Sequence, residues 1–139
     1  MEQQAQGRVI KFRAWGTRVP FKEGAEAVST EMAYFGLTDL DGTYIVPTGT
    51  YFEGDFKLMQ FTGLHDKNGK EIYEGDVLRG TTNDWDEHTK KGDTVVVEHD
   101  EVTGGFAPFA IYDGDCGTQT SPKKVEVIGN IYENPELLR

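Results

Sequence analysis

Alternation of apolar and polar residues is clearest over residues 58–78, LMQFTGLHDKNGKEIYEGDVL. Successive side chains of a strand point to opposite faces, so apolar residues at every second position predict a strand with one buried face. Phe61 lies on the apolar side of this alternation. Asn68 and Gly69 then predict a tight type I′ turn, after which Glu71–Tyr73 pairs back. The stretch is predicted to be a β-hairpin that feeds a third strand at Val77.

Strand-like periodicity recurs on both sides of this hairpin. The N-terminal segment GRVIKFRAW alternates apolar and charged residues, and TYFEGDFKLMQ, TVVVE and KVEVIGNIY are rich in strand-forming residues. GGFAPFAIY at residues 104–112 predicts another strand, placed at an edge or kinked by Pro108. Residues 23–35, EGAEAVSTEMAYF, instead predict one short helix, and PELL after Asn134 predicts a terminal helical turn.

Short strands separated by glycine-rich turns predict a mainly β protein. The strand count after residue 57 predicts an SH3-like small barrel over residues 58–139. Residues 1–57 are predicted to be an N-terminal extension of strands and loops, with the one short helix, packed on that barrel. A chain of 139 residues can bury enough apolar surface to fold without disulfides or a structural metal.

The charge of the chain is acidic and uneven. The net charge is -10; residues 1–57 hold six basic and eight acidic side chains, and residues 58–139 hold eight and sixteen. Such a surface repels phosphate backbones, which argues against sequence-independent nucleic-acid binding over the whole surface. The single cysteine, the polar N-terminus and the lack of a long apolar run predict a soluble intracellular protein.

One basic segment interrupts the acidic chain near its N-terminus. Residues 1–22 hold five basic residues against only one acidic residue, Glu2, and two aromatic residues, Phe12 and Trp15, lie among them; the basic residues are Arg8, Lys11, Arg13, Arg18 and Lys22. Cations follow phosphates and aromatic rings stack on bases, so this segment is a candidate nucleic-acid contact. The alternatives are an edge strand that carries charges to prevent aggregation, or an arm that pairs with the acidic C-terminal part.

A second interaction candidate is Trp85, which lies in the polar loop TTNDWDEHTKK. A large aromatic side chain among acidic residues is either an exposed anchor for a partner or a lid over the end of the barrel. The sequence leaves both interpretations open.

Catalytic and metal-binding patterns are not evident. Carboxylates and histidines occur together in three loops, but with no recognised ligand spacing, and solvated acidic loops explain them better than a metal site does. Cys116 lies beside Asp115, a setting that disfavours a reactive thiolate, and no glycine-rich phosphate loop occurs. The sequence therefore predicts no catalytic residue, no metal site and no cofactor, and it favours a protein that is not an enzyme.

Three blocks of this sequence resemble the YopX family of phage and prophage proteins: IKFRAW, LMQFTGLHDKNGKEIYEGDVL and VEVIGNIYENPELL, in that order. The resemblance spans nearly the whole chain and is weakest over residues 16–56 and 81–112. It implies a largely β protein with an SH3-like barrel, encoded by a phage or an integrated prophage and acting in the cytoplasm of a bacterial host. It implies no activity, because the family has no established biochemical function.

The function that the sequence favours is a non-enzymatic protein-interaction module, a phage accessory protein that binds a host or phage protein or forms a homo-oligomer. The first alternative is association with nucleic acid through the basic N-terminal segment. The second is an acidic DNA mimic that occupies a host protein. No membrane partner is expected.

Overall fold

The structure, a computed structural model, describes residues 8–20, 29–36, 50–83, 89–110 and 120–138. Over these ranges the protein is mainly β, as the strand periodicity predicts. The described strands are β1 (Lys11–Pro20), β2 (Ser29–Gly36), β3 (Thr50–His65), β4 (Glu71–Tyr73), β5 (Asp76–Gly80), β6 (Thr94–Val96), β7 (Glu98–His99), β8 (Phe106–Ala107) and β9 (Val125–Asn130). Two 3-10 helices, Pro122–Lys124 and Pro135–Leu138, follow β8 and β9, and the second confirms the predicted terminal helical turn. None of the described helices has the length and apolar character needed to cross a membrane.

Two compact units make up the chain, residues 1–58 and residues 59–139. In the first unit β1 lies between β2 and the beginning of β3. β1 and β2 pair antiparallel from Lys11↔Gly36 to Arg18↔Ser29. Cross-strand partners share a face of the sheet, which brings the Phe12 and Phe35 rings to 6.1 Å between centroids. These rings pack with the buried Ala14 and Ala33 to form the core of this unit.

The predicted helix over residues 23–35 is wrong where the structure describes that segment. Residues 29–36 form β2 instead, and residues 23–28 lie outside the described ranges. The reason is tertiary, because Phe35 and Ala33 gain apolar partners on β1 that an isolated helix would not provide. Gly24 and poor capping residues also left the helix with little intrinsic stability.

The second unit is organised around β5, which pairs antiparallel with β6 on one side and β9 on the other. β3 pairs with β4, and β7 pairs with β8. The apolar core of the unit is a buried cluster from several of these elements, Ile72, Leu78, Val97, Phe109 and Val125. Full burial of a side chain of this size contributes about 1.5–3 kcal/mol to folding. The cluster therefore dominates the stability of this unit.

The predicted hairpin is present, but its turn is of another type. Phe61 on β3 pairs with Tyr73 on β4, and Gly69 has φ of 81°. Gly69 N–H donates to the Asp66 carbonyl, and none of the described non-glycine residues has a positive φ. A type I′ turn needs positive φ at both Asn68 and Gly69, so that prediction is wrong. The hairpin has a type I turn followed by a left-handed glycine.

The periodicity of β3 changes within the hairpin. Met59 and Phe61 are buried and Leu58 is exposed, which confirms the alternation read from the sequence. The pairing register then shifts between Phe61 and His65, and Gly63 has φ of 86°. An irregularity of this kind re-aims the following side chains. It explains why Leu64 is half-buried beside the core while His65 is exposed.

The strand predicted over residues 104–112 is much shorter in the structure. Within the described residues 104–110, only Phe106 and Ala107 are in strand conformation. Pro108 has no N–H to continue a ladder, and the N–H groups of Phe109 and Ala110 both donate to the Phe106 carbonyl. The chain therefore turns where the sequence predicted a continuing strand.

Candidate functional site

The basic N-terminal segment does not form an exposed row of cations. Arg8 is exposed, Lys11 and Trp15 are half-buried, and Arg13 is buried with 2% of its surface exposed. β1 is also an inner strand of its four-stranded sheet, so it is not the charged edge strand that one interpretation predicted. In this conformation a phosphate backbone lying along β1 would reach Arg8 but not Arg13. Lys22 and the Arg18 side chain lie outside the described part of the chain, so this observation concerns Arg8, Lys11 and Arg13 alone.

Trp85 and most of the acidic loop residues lie outside the described residues. The same holds for Cys116 and its acidic neighbours. In the described parts of the chain, no group of three or more His, Cys, Asp and Glu side chains is arranged to hold a metal ion.

Exposed apolar side chains are concentrated in the first unit. Seven large apolar residues are exposed in the described ranges, and five of them lie before residue 59. These five are Val9, Ile10, Tyr34, Phe56 and Leu58; the other two are Val102 and Leu138. Phe56 and Leu58 are two positions apart on β3 and share a face of that strand. This group of five, the N-terminal apolar group, was not identified from the sequence, because exposure in a half-buried sheet depends on which strands cover it.

The hairpin turn of the second unit is fixed to β9 by one buried carboxylate. Asp66 is 5% exposed, and its Oδ1 accepts hydrogen bonds from the N–H groups of Asn68 (2.8 Å) and Lys70 (2.9 Å). Its Oδ2 accepts from Val127 N–H on β9 at 2.9 Å. Lys67 N–H also donates to the Val125 carbonyl at 3.0 Å. The turn therefore cannot move independently of β9.

This connection creates a cleft of about 520 Å³ between the turn and the 3-10 helix before β9. We call it the lysine cleft, because Lys67 lines it from the turn and Lys123 lines it from the 3-10 helix. Leu64 and Pro122 contribute apolar surface, and His65 contributes an exposed imidazole. The His65 ring packs edge-on against Phe61 with centroids 5.7 Å apart.

Both lysines of the cleft stand on backbone that is held by hydrogen bonds. Lys67 belongs to the turn fixed by Asp66, and Lys123 N–H donates to Ser121 Oγ at 3.4 Å. The next amide, Lys124 N–H, donates to the Ser121 carbonyl at 3.0 Å. This site was not identified from the sequence because Lys67 and Lys123 are far apart in the chain. Six of the eight basic residues after residue 57 occur in three lysine pairs, at 67 and 70, at 90 and 91 and at 123 and 124, so the pairs alone do not indicate which of them share a site.

Comparison with solved structures finds relatives, and one of them is similar to this chain over nearly its whole length. The chain is similar to the crystal structure of protein EF1440 from Enterococcus faecalis, with 26% sequence identity and a TM-score of 0.50. The similarity covers 96% of this chain and 100% of that chain. No curated protein matches this sequence.

Comparison with protein families is more decisive. The family model described as YopX protein matches residues 11–139, which include all the described strands and all of both units except the first ten residues. The three sequence blocks that resemble this family fall on β1, on the hairpin through β5, and on β9 with the last 3-10 helix. The chain belongs to the YopX family.

Proposed function

We propose that this chain is a phage- or prophage-encoded accessory protein of the bacterial cytoplasm that works as a non-enzymatic protein-interaction module. The observation that carries this proposal is the N-terminal apolar group, which holds five of the seven exposed large apolar residues in the described ranges. The proposal takes these five side chains as one interaction surface, because a contiguous exposed apolar patch marks an interaction site whereas scattered exposed residues do not. The partner is a host or phage protein, or a second copy of this chain.

The side chains of this group support contact with a protein in preference to a nucleic acid. Tyr34 is 55% exposed and opposes Arg13 across the β1–β2 pair, and Leu58 is 44% exposed. Aromatic residues are enriched at the buried centres of protein interfaces, whereas nucleic-acid surfaces are strongly basic. Residues 1–57 carry six basic against eight acidic side chains, so this part has no cationic excess.

For the fold of residues 58–139 we propose the SH3-like barrel, with the N-terminal strands packed on it. Its support is a series of short antiparallel strands, in which β5 is flanked by β6 and β9 around one apolar cluster. Small barrels of this kind present loops and strand edges to partners while their core remains intact.

The interaction proposal is tested by affinity capture of the full chain from lysogenic or infected cells, with three charge-introducing variants compared. Val9→Asp and Leu58→Asp change the N-terminal apolar group, and Val102→Asp is the matched control, because Val102 is an exposed apolar residue of the second unit. We expect wild type and Val102→Asp to retain one defined protein partner, and the other two variants to lose it. If the partner is a second copy of this chain, sedimentation of the purified proteins measures self-association, which the same two variants should lose.

Two results would contradict the proposal. One is recovery of a discrete nucleic acid with no specific protein, which would favour the nucleic-acid alternative. The other is equal capture, or equal self-association, by all four proteins.

The DNA-mimic alternative has one observation in its favour, the charge of -8 over residues 58–139. It makes a separate prediction, because a mimic competes with DNA for its host protein. A captured host protein that binds DNA and releases it on addition of this chain would support the mimic. Simultaneous binding of DNA and this chain would exclude it.

A further inference from the structure

We propose that the lysine cleft binds a phosphomonoester of nucleotide size. The site lies wholly in the second unit, so this inference does not depend on the protein-interaction proposal. Its volume of about 520 Å³ lies within the range of about 300–1,000 Å³ that is typical of small-molecule sites. Its lining combines positively charged side chains with apolar surface, which suits a ligand that has an anionic group and a larger organic part.

The cationic side of the cleft consists of Lys67 and Lys123, with His65 beside them. Both lysines are exposed, and among the described residues neither ammonium group forms an ion pair. Arg79, by contrast, is paired with Glu126 at 2.7 Å. A phosphomonoester carries a charge of about -1.5 to -2 at neutral pH, which two unpaired lysines match. Lysine binds phosphate as a point charge, so it needs no fixed approach direction.

Asp66 is the carboxylate that lines the cleft, and its presence bears directly on anion binding. Both of its oxygens are already occupied by backbone N–H donors, from Asn68, Lys70 and Val127. These three dipoles offset part of its charge, and the side chain is 5% exposed. Asp66 therefore acts chiefly by holding Lys67 in place, although its remaining charge makes the cleft a weaker anion site than two lysines alone would.

The rest of the cleft suits the organic part of such a ligand. Leu64 and Pro122 supply apolar walls, and the exposed His65 ring supplies a flat surface for an aromatic base. Gly63 and Gly69 line the cleft with φ of 86° and 81° and have no side chain to occupy it. Because the turn is pinned to β9, little ordering of the protein is required when a ligand binds.

The experiment is an NMR titration of the full chain with three probes, inorganic phosphate, AMP and adenosine. We expect AMP to bind about tenfold more tightly than adenosine, and its affinity to fall as salt rises from about 20 to about 200 mM, because exposed charges are screened. Phosphate is expected to shift the amide signals of Lys67 and Lys123, and AMP to shift those of Leu64 and His65 as well.

The decisive variants change charge inside and outside the cleft. Lys67→Glu with Lys123→Glu should weaken AMP binding by about tenfold or more, since each reversal removes an attraction and adds a repulsion. The matched control is Lys90→Glu with Lys91→Glu, which makes the same charge change at two exposed lysines elsewhere in the unit. The glutamine pair Lys67→Gln with Lys123→Gln removes the charges without adding new ones, and circular dichroism verifies that each variant is folded.

A further comparison separates two sources of a phosphomonoester, a free nucleotide and the 5′ end of a nucleic acid. A six-nucleotide DNA with a 5′ phosphate is compared with the same DNA ending in a hydroxyl. If AMP and the 5′-phosphorylated DNA bind but the 5′-hydroxyl DNA does not, the cleft accepts phosphomonoesters on DNA ends as well as on nucleotides. If AMP binds and neither DNA does, the ligand is a free nucleotide. The proposal is overturned if AMP and adenosine bind equally, if both charge-reversal pairs lose affinity equally, or if both DNAs bind alike and more tightly than AMP.

Discussion

Replacing Asp66 by alanine should destabilise the second unit by more than any other single polar change at the hairpin. The carboxylate accepts three backbone hydrogen bonds, at 2.8, 2.9 and 2.9 Å. A hydrogen bond to a charged group contributes about 1.5–3 kcal/mol, and a buried donor left without a partner has a comparable cost. The amides of Asn68 and Lys70 lie at an exposed turn and can bond to water instead. Val127 N–H is on β9, so its loss is the least compensated.

We therefore expect Asp66→Ala to lower the free energy of unfolding by about 3–5 kcal/mol, below the simple sum of three charged hydrogen bonds. Asp66→Asn should lower the free energy of unfolding by about half as much. The amide oxygen of the new side chain still accepts from the turn N–H groups, but its NH₂ group faces Val127 N–H, which is also a donor. Asp93→Asn is the matched control, since Asp93 is exposed, and it should change stability by less than about 0.5 kcal/mol.

The measurement is urea unfolding monitored by fluorescence and circular dichroism, together with hydrogen exchange at individual amides. Coincident transitions from the two probes license a single free energy for the unit. Exchange at Val127 should accelerate in Asp66→Ala more than exchange at core amides does. A loss below about 1 kcal/mol with unchanged protection at Val127 would show that Asp66 does not hold the turn to β9.

Two further predictions use the same unfolding assay. A Cβ at residue 129 would lie 2.5 Å from Asn134 Oδ1 and 2.8 Å from Leu137 Cδ1. Gly129→Ala should therefore lower the free energy of unfolding by about 1–3 kcal/mol, and by less in an Asn134→Ala background. An equal loss in both backgrounds would contradict the clash. Arg79→Ala should lower the free energy of unfolding by less than about 1 kcal/mol, because the ion pair between Arg79 and Glu126 is exposed to solvent and screened by salt. A loss of stability that persists at high salt would refute this explanation.

Sequence periodicity predicted the strands well where each strand has one buried face and a local turn. The hairpin is the clearest case, because the burial of Met59 and Phe61 follows directly from their spacing. The turn type was not predictable in the same way. Asn68 and Gly69 are compatible with a type I′ turn, but Asp66 accepts the Asn68 N–H and favours a type I turn with only the glycine left-handed. The turn type was therefore determined by Asp66, a side chain outside the Asn68-Gly69 dipeptide.

The errors in the N-terminal part have a tertiary cause. Residues 29–35 have no strong local preference, and β2 forms because β1 offers Phe12 and Ala14 as partners. The burial of Arg13 was equally hidden from the sequence, since β1 lies between two strands and not at an edge. A strand pattern states which residues alternate, but it does not state how many neighbours cover each face. For the same reason the N-terminal apolar group was not visible in the sequence, whereas the lysine cleft was missed because Lys67 and Lys123 are far apart in the chain.

The polar residues in the family-matching blocks explain why those blocks do not reveal an activity. Asp66 holds the turn to β9, and Asp76 Oδ2 accepts the Tyr73 N–H at 2.8 Å. Asn130 Oδ1 accepts from the N–H groups of Tyr132 and Glu133 after β9, and Glu74 Oε1 accepts from Gln60 N–H. Each of these side chains bonds to a backbone N–H group that the turn or strand end would otherwise leave without a partner, so the fold itself requires an acceptor there. A similar sequence in these blocks therefore specifies a shared structure. The two binding proposals therefore rest on side chains with no such task, namely Lys67, Lys123, Val9 and Leu58.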